Sequence, residues 1–450
     1  RYLKHCQKRV NIISFAKLDE DCLKILTCFL GAYNKNSTIL NNVYLYLNCG
    51  YGNRYMFEKL IRNSKVASHV TIYNLHELIA QKFIFNQPMS KFLTSKEIDY
   101  SKGTIKKDLD IACVYVGFGK VNKELLTKQM SNNLFLHENN NLLEPHKINY
   151  HIIDINETIE DKNLNHYILR KDIKNDVINN RNKLYSIQFH NRCDINSSLF
   201  YENLSQMVSL KENSVNHVIV SIGDDCENID FSFKILDYLK SKNALGNNKI
   251  FCRVRDMAYL PIIQQNQDIV YFGEDSSVIN HEVIVKKSIE EFGMKRNMKY
   301  YSVTNDNLSN ETLNNWLKLP TVKRLNNIAV GLNTRHKLNL IGLDFVKKDQ
   351  NVLGLSKEDY EKEYFESKIK ASDLYNYNKY YHVTKIINKR NTLAYEEHLR
   401  WCAFFLSQGY DALPLDEIEY SYNAEKDAIE IKKEDLFIKK HACLMSFTDL

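Results

Sequence analysis

The stretch that most constrains the fold is Ile111-Ala-Cys-Val-Tyr-Val-Gly-Phe-Gly-Lys-Val-Asn122. An unbroken apolar run enters a Gly-x-Gly turn, and a helix is predicted to follow over 121–130. A strand that is apolar on both faces is buried on both, which places it in the middle of a parallel sheet. Gly117 and Gly119, with Phe118 between them, let the backbone turn sharply and let a ligand approach the main chain. The N–H groups of the helix that follows suit an anion such as a phosphate. The next strand, 148–153, ends in Asp154, where a dinucleotide-type fold hydrogen-bonds a ribose. Asn122 stands where that fingerprint has its third glycine.

The same alternation runs along the chain. A helix is expected over 12–34, a strand over 42–47, a helix over 54–61, a strand over 70–73 and a helix over 75–84. This is a short β-α-β-α unit, and such units make parallel sheets. Its strand-to-helix turn, Asn48-Cys-Gly-Tyr-Gly52, repeats the glycine spacing, but its second strand ends in Tyr73-Asn74 with no carboxylate. It reads as a degenerate nucleotide-binding half with a structural role. Residues 89–109 are polar and read as a linker, and an asparagine-rich loop separates 130 from 148. An insertion is expected over 156–182, then a strand at 184–188 and a helix at 196–209. A third sheet strand, 216–223, leads through Gly223 to Asp224 and Asp225. A helix over 227–241 leads to a strand over 249–254 carrying Arg253, then Arg255, a strand over 268–272 and a helix over 280–292. In a doubly wound sheet the ligand lies beyond the carboxyl ends of the strands. Asp154, Asp224, Asp225, Arg253 and Arg255 all fall at or near such ends and are expected to line a pocket on the Gly117–Gly119 edge.

From Trp316 the character changes. Residues 319–342 read as one helix, 356–388 as a polar, tyrosine-rich region, and 391–409 as a helix stopped by Gly409 in the C′ position. Leu393, Glu397, Arg400 and Trp401 share one face of it, with His398 beside Trp401. An arginine and a tryptophan can stack on a base, and a carboxylate and an imidazole can hydrogen-bond its polar edges. The plainer alternative is that Trp401 is core and the charges are solvated.

Composition narrows the class. The chain is 44% hydrophobic and 26% charged with a net charge of +6, which is ordinary for a globular protein and gives no basic stripe for nucleic acid. Its 10 cysteines are scattered with no CxxC; Cys113 and Cys252 in strands, and Cys22 and Cys28 in a helix, read as small buried hydrophobes in a reducing compartment, with no zinc site. No run is long and apolar enough to span a bilayer, and no signal peptide is present. The chain opens at Arg1, not Met, so a membrane segment upstream of a cytoplasmic part is one expectation.

Residues 109–272 resemble the TrkA N-terminal/RCK family of nucleotide-binding regulators of potassium channels and transporters. The resemblance rests on Val116-Gly-Phe-Gly-Lys-Val, Asp154, Ile222-Gly-Asp-Asp-Cys-Glu-Asn228 and Phe251-Cys-Arg-Val-Arg-Asp256. It implies nucleotide contacts at Gly117, Gly119, Asp154 and Asp224, and a homo-oligomer, dimer or higher. The C-terminal part resembles the RyR domain, through Glu397-His-Leu-Arg-Trp401, Gly409-Tyr410, His441 with Ala-Cys-Leu444, and Asp449-Leu450. That implies a small helical binding module with a second ligand near Glu397, His398, Arg400, Trp401, Tyr410 and His441. The fold class that follows is α/β: tandem Rossmann-like parallel sheets, the first truncated, followed by a mainly helical RyR-like domain. The expected organisation is a truncated unit over 1–108, a nucleotide-binding domain over 109–300, a helical connector over 301–345 and the RyR-like domain over 346–450.

The function expected from these readings is a sensor. A nucleotide-derived ligand (NAD or NADH, ATP or ADP, or a nucleotide second messenger) shifts an equilibrium between domain arrangements and gates a potassium channel or similar pore. Ligand binding can do this only through a difference in affinity for the two arrangements. Two alternatives stand beside it: a soluble effector of a bacterial nucleotide-signalling or defence pathway, and an NAD-dependent oxidoreductase. The enzyme reading is the weaker, because the chain holds no HExxH, GxSxG or P-loop motif.

Overall fold

In a computed structural model of the chain, the described residues are 9–444 apart from 17, 51–52, 63, 65, 157–184, 209–212, 246–247, 260, 262–267, 301–314, 317, 347–353, 357, 360–386 and 424–427. The chain divides into two compact units. One comprises Arg1–Lys82, Arg255–Met257 and Gly273–Ile328, and the other Phe83–Val254, Ala258–Phe272 and Ala329–Leu450.

The first unit opens with β1 (Val10–Ser14), α1 (Asp19–Lys35), β2 (Val43–Asn48), α2 (Arg54–Arg62), β3 (Val70–Tyr73) and α3 (Leu75–Asn86), the last of which continues into the second unit. The strands form a parallel 3-stranded sheet in the order β1-β2-β3. The single helix expected over 12–34 is corrected: its first residues are β1, with Ile12 opposite Leu45 of β2. Val10-Asn-Ile-Ile-Ser is rich in β-branched residues, and a short apolar run beside a helix merges with it in periodicity. The helix begins only at the acidic first turn Asp19, Glu20 and Asp21, which suits the positive end of its dipole. Leu26, Leu45, Leu47 and Phe57 centre the core. Cys22 belongs to it, but Cys28 is exposed, so that cysteine is not the buried hydrophobe expected.

The second unit is built on β6 (Asp110–Val116), preceded by the short strands β4 (Ile98–Asp99) and β5 (Thr104–Ile105). After β6 come α4 (Lys120–Asn132), β7 (Leu136–Asn139), β8 (Leu142–Pro145), β9 (Ile148–Ile153), β10 (Tyr185–His190) and α5 (Ser198–Met207). Then follow β11 (Ser214–Val220), α6 (Asp225–Ser241), β12 (Asn248–Arg253) and β13 (Ile269–Phe272). Six parallel strands lie in the order β10-β9-β6-β11-β12-β13. Numbered from β6, that is third, second, first, fourth, fifth, sixth, the order of a doubly wound dinucleotide-type sheet whose direction of winding reverses between its first and fourth strands. The class is α/β with parallel sheets.

The two faces of this sheet differ in chemistry. Val114, Val116, Val218, Val220 and Ile250 pack with Phe200 and Leu204 of α5 and Phe231 and Ile235 of α6 into an aliphatic core. On the other face Cys113, Tyr150 and His217 share a register row, and the Tyr115 hydroxyl donates to Gln129 of α4. Phe83 and Phe92 lie edge-on to Phe251 there, with ring centroids 5.1 and 5.6 Å away.

Two expected loops are ordered structure. The linker predicted over 89–109 holds a tight helical turn at Met89–Phe92 and the strands β4 and β5. The asparagine-rich stretch is the β7–β8 hairpin, completing a 4-stranded sheet β4-β5-β7-β8. Its turn residues Asn140 and Asn141 have φ of 51° and 60°, the left-handed pair that a two-residue hairpin turn needs and that asparagine tolerates. These strands are too short, and their polar residues too many, to give a period-two signal.

The helix predicted over 280–292 is also corrected. Asp275–Val278 is a short helix, and His281–Val285 is a π-helical turn capped by Asn280, whose side chain accepts the Val283 N–H at 3.0 Å. A separate helix, α7, spans Glu291–Tyr300. The long helices α8 (Thr321–Leu340) and α9 (Lys389–Ser407) match their expected extents. Gly409, with φ 81°, ends the run as predicted. Beyond it the described residues carry strands, not the helices expected. β14 (Asp411–Ala412), β18 (Lys440–His441) and β17 (Glu434–Asp435) make one small sheet, and β15 (Glu419–Asn423) pairs with β16 (Ala428–Lys432). Most of the insertion predicted over 156–182, most of the tyrosine-rich region over 356–388, and Asp449-Leu450 lie outside the described residues. No helix among the described residues is long and apolar enough to cross a membrane.

Candidate ligand site at the switch point of the sheet

The turn after β6 is pinned on both sides. The Gly117 N–H donates to the Ile153 carbonyl of β9 at 2.8 Å, and the Ser221 N–H beyond β11 donates to the Val116 carbonyl at 3.0 Å. Gly117 has φ 81°, and a Cβ there would stand 2.7 Å from the Ser221 carbonyl oxygen and 2.8 Å from Ile222 Cγ2. Conformation and space both demand glycine. Gly119 differs: its φ is −71°, and a Cβ would meet nothing within 4 Å. It is the N-cap of α4 and supplies no side-chain cap; Gly119 and Lys120 are exposed there, Val121 and Asn122 are buried, and Lys123 completes the first turn. An uncapped helix start of this kind suits a phosphate.

Asn122 replaces the expected third glycine and is wholly buried. Its Nδ2 donates to the Gly117 carbonyl at 2.6 Å, tying the turn to the helix from inside. A glycine there would allow closer strand–helix packing; the asparagine substitutes a hydrogen bond for that approach.

Asp154 ends β9 beside this turn. Its Oδ2 accepts the Phe118 N–H at 2.7 Å, and its Oδ1 accepts the Asn156 backbone N–H at 3.0 Å and Nδ2 at 2.6 Å. A carboxylate has about four lone-pair sites, so these bonds leave room for a hydroxyl donor. Phe118 is buried, edge-on to Phe189 of β10 at 6.4 Å between centroids, with the Lys123 ammonium 5.7 Å from its ring centre.

Across the reversal the chemistry changes sign. Asp224 is the N-cap of α6: its Oδ1 accepts the Glu227 N–H at 3.0 Å, and Glu227 Oε2 accepts the Asp224 N–H at 3.2 Å, a reciprocal capping box. The Glu227 carboxylate lies over Gly223, in the space a Cβ would take. Asp225 is buried in the first turn of α6, and Arg253 is half-buried at the end of β12. Arg255 belongs to the other compact unit, where its carbonyl accepts the Asp275 N–H at 3.1 Å. The structure thus brings together Gly117, Phe118, Gly119 and Asp154, and gives Asp224 a helix-capping role. The site is basic on the α4 side and acidic on the α6 side.

The truncated unit closes its own turn internally. Asp19 of α1 accepts the Gly50 N–H at 2.7 Å and the Asn53 Nδ2 at 2.7 Å, so a carboxylate sits on the backbone amide that a phosphate would use. Asn74 caps α3, accepting the Glu77 N–H at 3.0 Å and donating to the Cys49 carbonyl at 3.1 Å. This agrees with a structural role.

The residues of α9 form two inward-turned groups. Glu397 accepts from Arg400 Nε at 2.9 Å and Nη2 at 3.0 Å, and from Lys337 of α8. Burial opposes ionisation of Glu397, yet Arg400 and Lys337 beside it hold its pKa down to about 2. Arg400 is fully buried. Trp401 packs on Phe405 and on His441 of β18, with centroids 4.6 and 4.7 Å away, and lies parallel to His398 at 6.5 Å. Tyr410 meets Phe405 edge-on at 5.0 Å, and His398 Nε2 is 3.5 Å from the Cys402 sulfur. Sequence reasoning missed the buried Glu396, Asn333 and His336 and the half-buried Lys337, polar groups whose only signal is a charge or amide on the apolar stripe of a helix.

Comparison with known proteins supplies no relative: no family model matches the chain, and no characterised protein or solved structure is significantly similar to it.

Proposed function

We propose that the chain binds a nucleotide-derived ligand where the winding of its six-stranded sheet reverses, and that it works as a regulatory sensor. The observation that carries this reading is the Gly117–Gly119 turn: it lies at the reversal point, leads into an uncapped helix and leaves open space over Gly119. A ligand phosphate takes the exposed start of α4 at Gly119 and Lys120, and a ribose hydroxyl donates to the remaining lone pairs of Asp154. NAD, NADH, ATP, ADP and nucleotide second messengers all present these two groups. The output, gating of a potassium channel or similar pore by a homo-oligomer, rests on the resemblance to RCK regulators. The face of Glu397, His398, Arg400 and Trp401, with Tyr410 and His441, is a weaker candidate for a second ligand, because those side chains already bond or pack with one another.

A thermal-shift panel of NAD, NADH, ATP, ADP, ADP-ribose and cyclic mono- and dinucleotides tests the site. A ligand at a hundred times its dissociation constant adds about 2.7 kcal/mol, a rise of a few degrees. The expected result is a shift with one ligand class that is lost in Gly119→Ala. Equal shifts in the two proteins, or no shift with any member, reject the site.

A further inference from the structure

Between α8 and α9 lies a cluster of buried polar side chains that plays no part in the nucleotide reading. Glu396 is wholly buried, and neither of its carboxyl oxygens makes a well-formed hydrogen bond among the described residues, although the Asn333 amide lies close enough to favour the charged form weakly. Beside it on α8 is Asn333, whose Nδ2 donates to the Asn132 carbonyl at the end of α4 at 3.0 Å. The Asn333 Oδ1 is buried without a partner among the described residues. One turn along, His336 donates from Nε2 to the Leu134 carbonyl at 2.9 Å and stands 3.8 Å from Glu396 Oε1. Burial lowers the His336 pKa to about 4, so the ring is neutral near pH 7 and balances no carboxylate. Lys337 and Arg400 are both bonded to Glu397. The titratable and charged groups facing Glu396 are therefore His336 and Lys337 from α8 and Glu397 and Arg400 from α9, while α4 contributes the Asn132 backbone carbonyl that holds Asn333.

A buried carboxylate with no donor is strongly disfavoured, and a buried acceptor with no donor is disfavoured too. One proton answers both: a neutral Glu396 offers an O–H, and Asn333, within side-chain hydrogen-bonding reach of it, has an Oδ1 that lacks a donor among the described residues, as has the His336 Nδ1. We propose that Glu396 is held as a neutral carboxylic acid donating to Asn333, and that loss of this proton loosens the α8–α9 seam, making the seam a proton-operated latch. On ionisation the new carboxylate competes with Glu397 for the Lys337 ammonium, so the ion pair joining α8 to α9 is redistributed. α9 carries Trp401 and the aromatic group around His441, and α8 reaches the end of α4 through Asn333, so the latch lies between these regions.

Burial, the largest influence, raises the Glu396 pKa from 4.5 to about 7. The folded value lies above the unfolded one, so the contribution to stability is complete below pH 4.5 and is lost as the pH rises to about 7. Between those limits the folding equilibrium changes by about 300-fold, tenfold for each unit of the difference.

Infrared spectroscopy of the full chain tests the proposal, as the difference between wild type and Glu396→Gln at pH about 6 and about 8.5. The expected difference is a protonated-carboxyl carbonyl band at the lower pH that disappears at the higher. A carboxylate band from Glu396 at the lower pH overturns it. Should Glu396→Gln fail to fold, hydrogen exchange of the wild type at the two pH values decides, corrected for the chemical rate. Protection of peptides from α8 and α9 then falls at the higher pH relative to peptides from β11 and α6; a parallel change in all four overturns the latch.

Discussion

The two glycines of the turn after β6 should respond oppositely to the same substitution. In Gly117→Ala the new methyl must adopt φ 81° and stand 2.7 Å from the Ser221 carbonyl oxygen and 3.0 Å from Ile222 Cα. The left-handed conformation costs about 1–2 kcal/mol for an L-residue, and forcing a methyl into packed backbone adds about 1–3 kcal/mol. The sum is about 2–5 kcal/mol, a large fraction of the stability of an ordinary domain. In Gly119→Ala the backbone is already at φ −71° and the methyl meets nothing within 4 Å, so the change is expected to stay within about 0.5 kcal/mol. Urea unfolding followed by circular dichroism measures both, with the slope of the transition used to confirm that only the midpoint has moved. Gly117→Ala should shift the midpoint strongly downward and Gly119→Ala hardly at all, while Gly119→Ala alone should abolish the nucleotide-induced rise in melting temperature. Equal midpoint shifts in the two variants would refute the reasoning, because they would mean that the open space over Gly119 is filled in the folded protein.

Asp154→Ala leaves the buried-side Phe118 N–H without its acceptor and should destabilise the chain by about 1–3 kcal/mol in the same urea experiment; an unmoved midpoint would remove the pinning role assigned to that carboxylate. Glu397 has a folded pKa of about 2 against 4.5 unfolded, so its contribution is present above pH 4.5 and is lost as the pH falls toward 2. Acid titration should therefore show a stability loss of up to about 3 kcal/mol in that window, missing in Glu397→Gln. Trp401→Ala removes contacts with Phe405 and His441 and should lower stability by about 2–4 kcal/mol, read as loss of the cooperative transition of the C-terminal region; an unchanged transition would return Trp401 to the role of a free stacking platform. Asn141→Gly at φ 60° should raise stability by about 0.5 kcal/mol, since glycine accepts that conformation without strain; a lower melting temperature would mean that the Asn141 side chain holds the turn.

What was legible in the sequence follows from how each signal arises. Strands buried on both faces announce themselves by continuous apolar runs, and β6, β9, β11 and β12 were all found within a few residues of their true ends. Gly409 marks the end of α9 because a left-handed residue is local chemistry, whereas the side-chain cap at Asn388, three residues before the expected start, escapes the sequence reading. β1 merges with α1 in the sequence because apolar density is high across both, and β4, β5, β7 and β8 look like linker and loop there because short strands owe their existence to neighbours distant in sequence. The hairpin turn at Asn140-Asn141 is nonetheless written in the residues, as the end of an asparagine triplet, Asn139 to Asn141, just before Leu142-Leu143.

The candidate site shows the same division more sharply. That Gly117 and Gly119 form a turn is a one-dimensional fact, but that one is locked and the other open depends on Ser221 and Ile222, brought alongside by the β6–β11 pairing. Asp154 reads as a ribose ligand in sequence because it ends a strand, yet in the fold the first donor to reach it is the Phe118 backbone amide, a group present in every residue but proline and so invisible as a motif. Asp224 likewise reads as a pocket carboxylate, but Glu227 three residues on converts it into a helix cap, a pattern the sequence contains and that competes directly with ligand contact. A carboxylate at a strand end is thus a candidate for binding only after its own turn and helix have taken the lone pairs they need. By that criterion Asp154 keeps a lone pair that its own turn does not use, Asp224 serves its helix, and the phosphate site we propose lies on the α4 side of the reversal, where no carboxylate caps the helix.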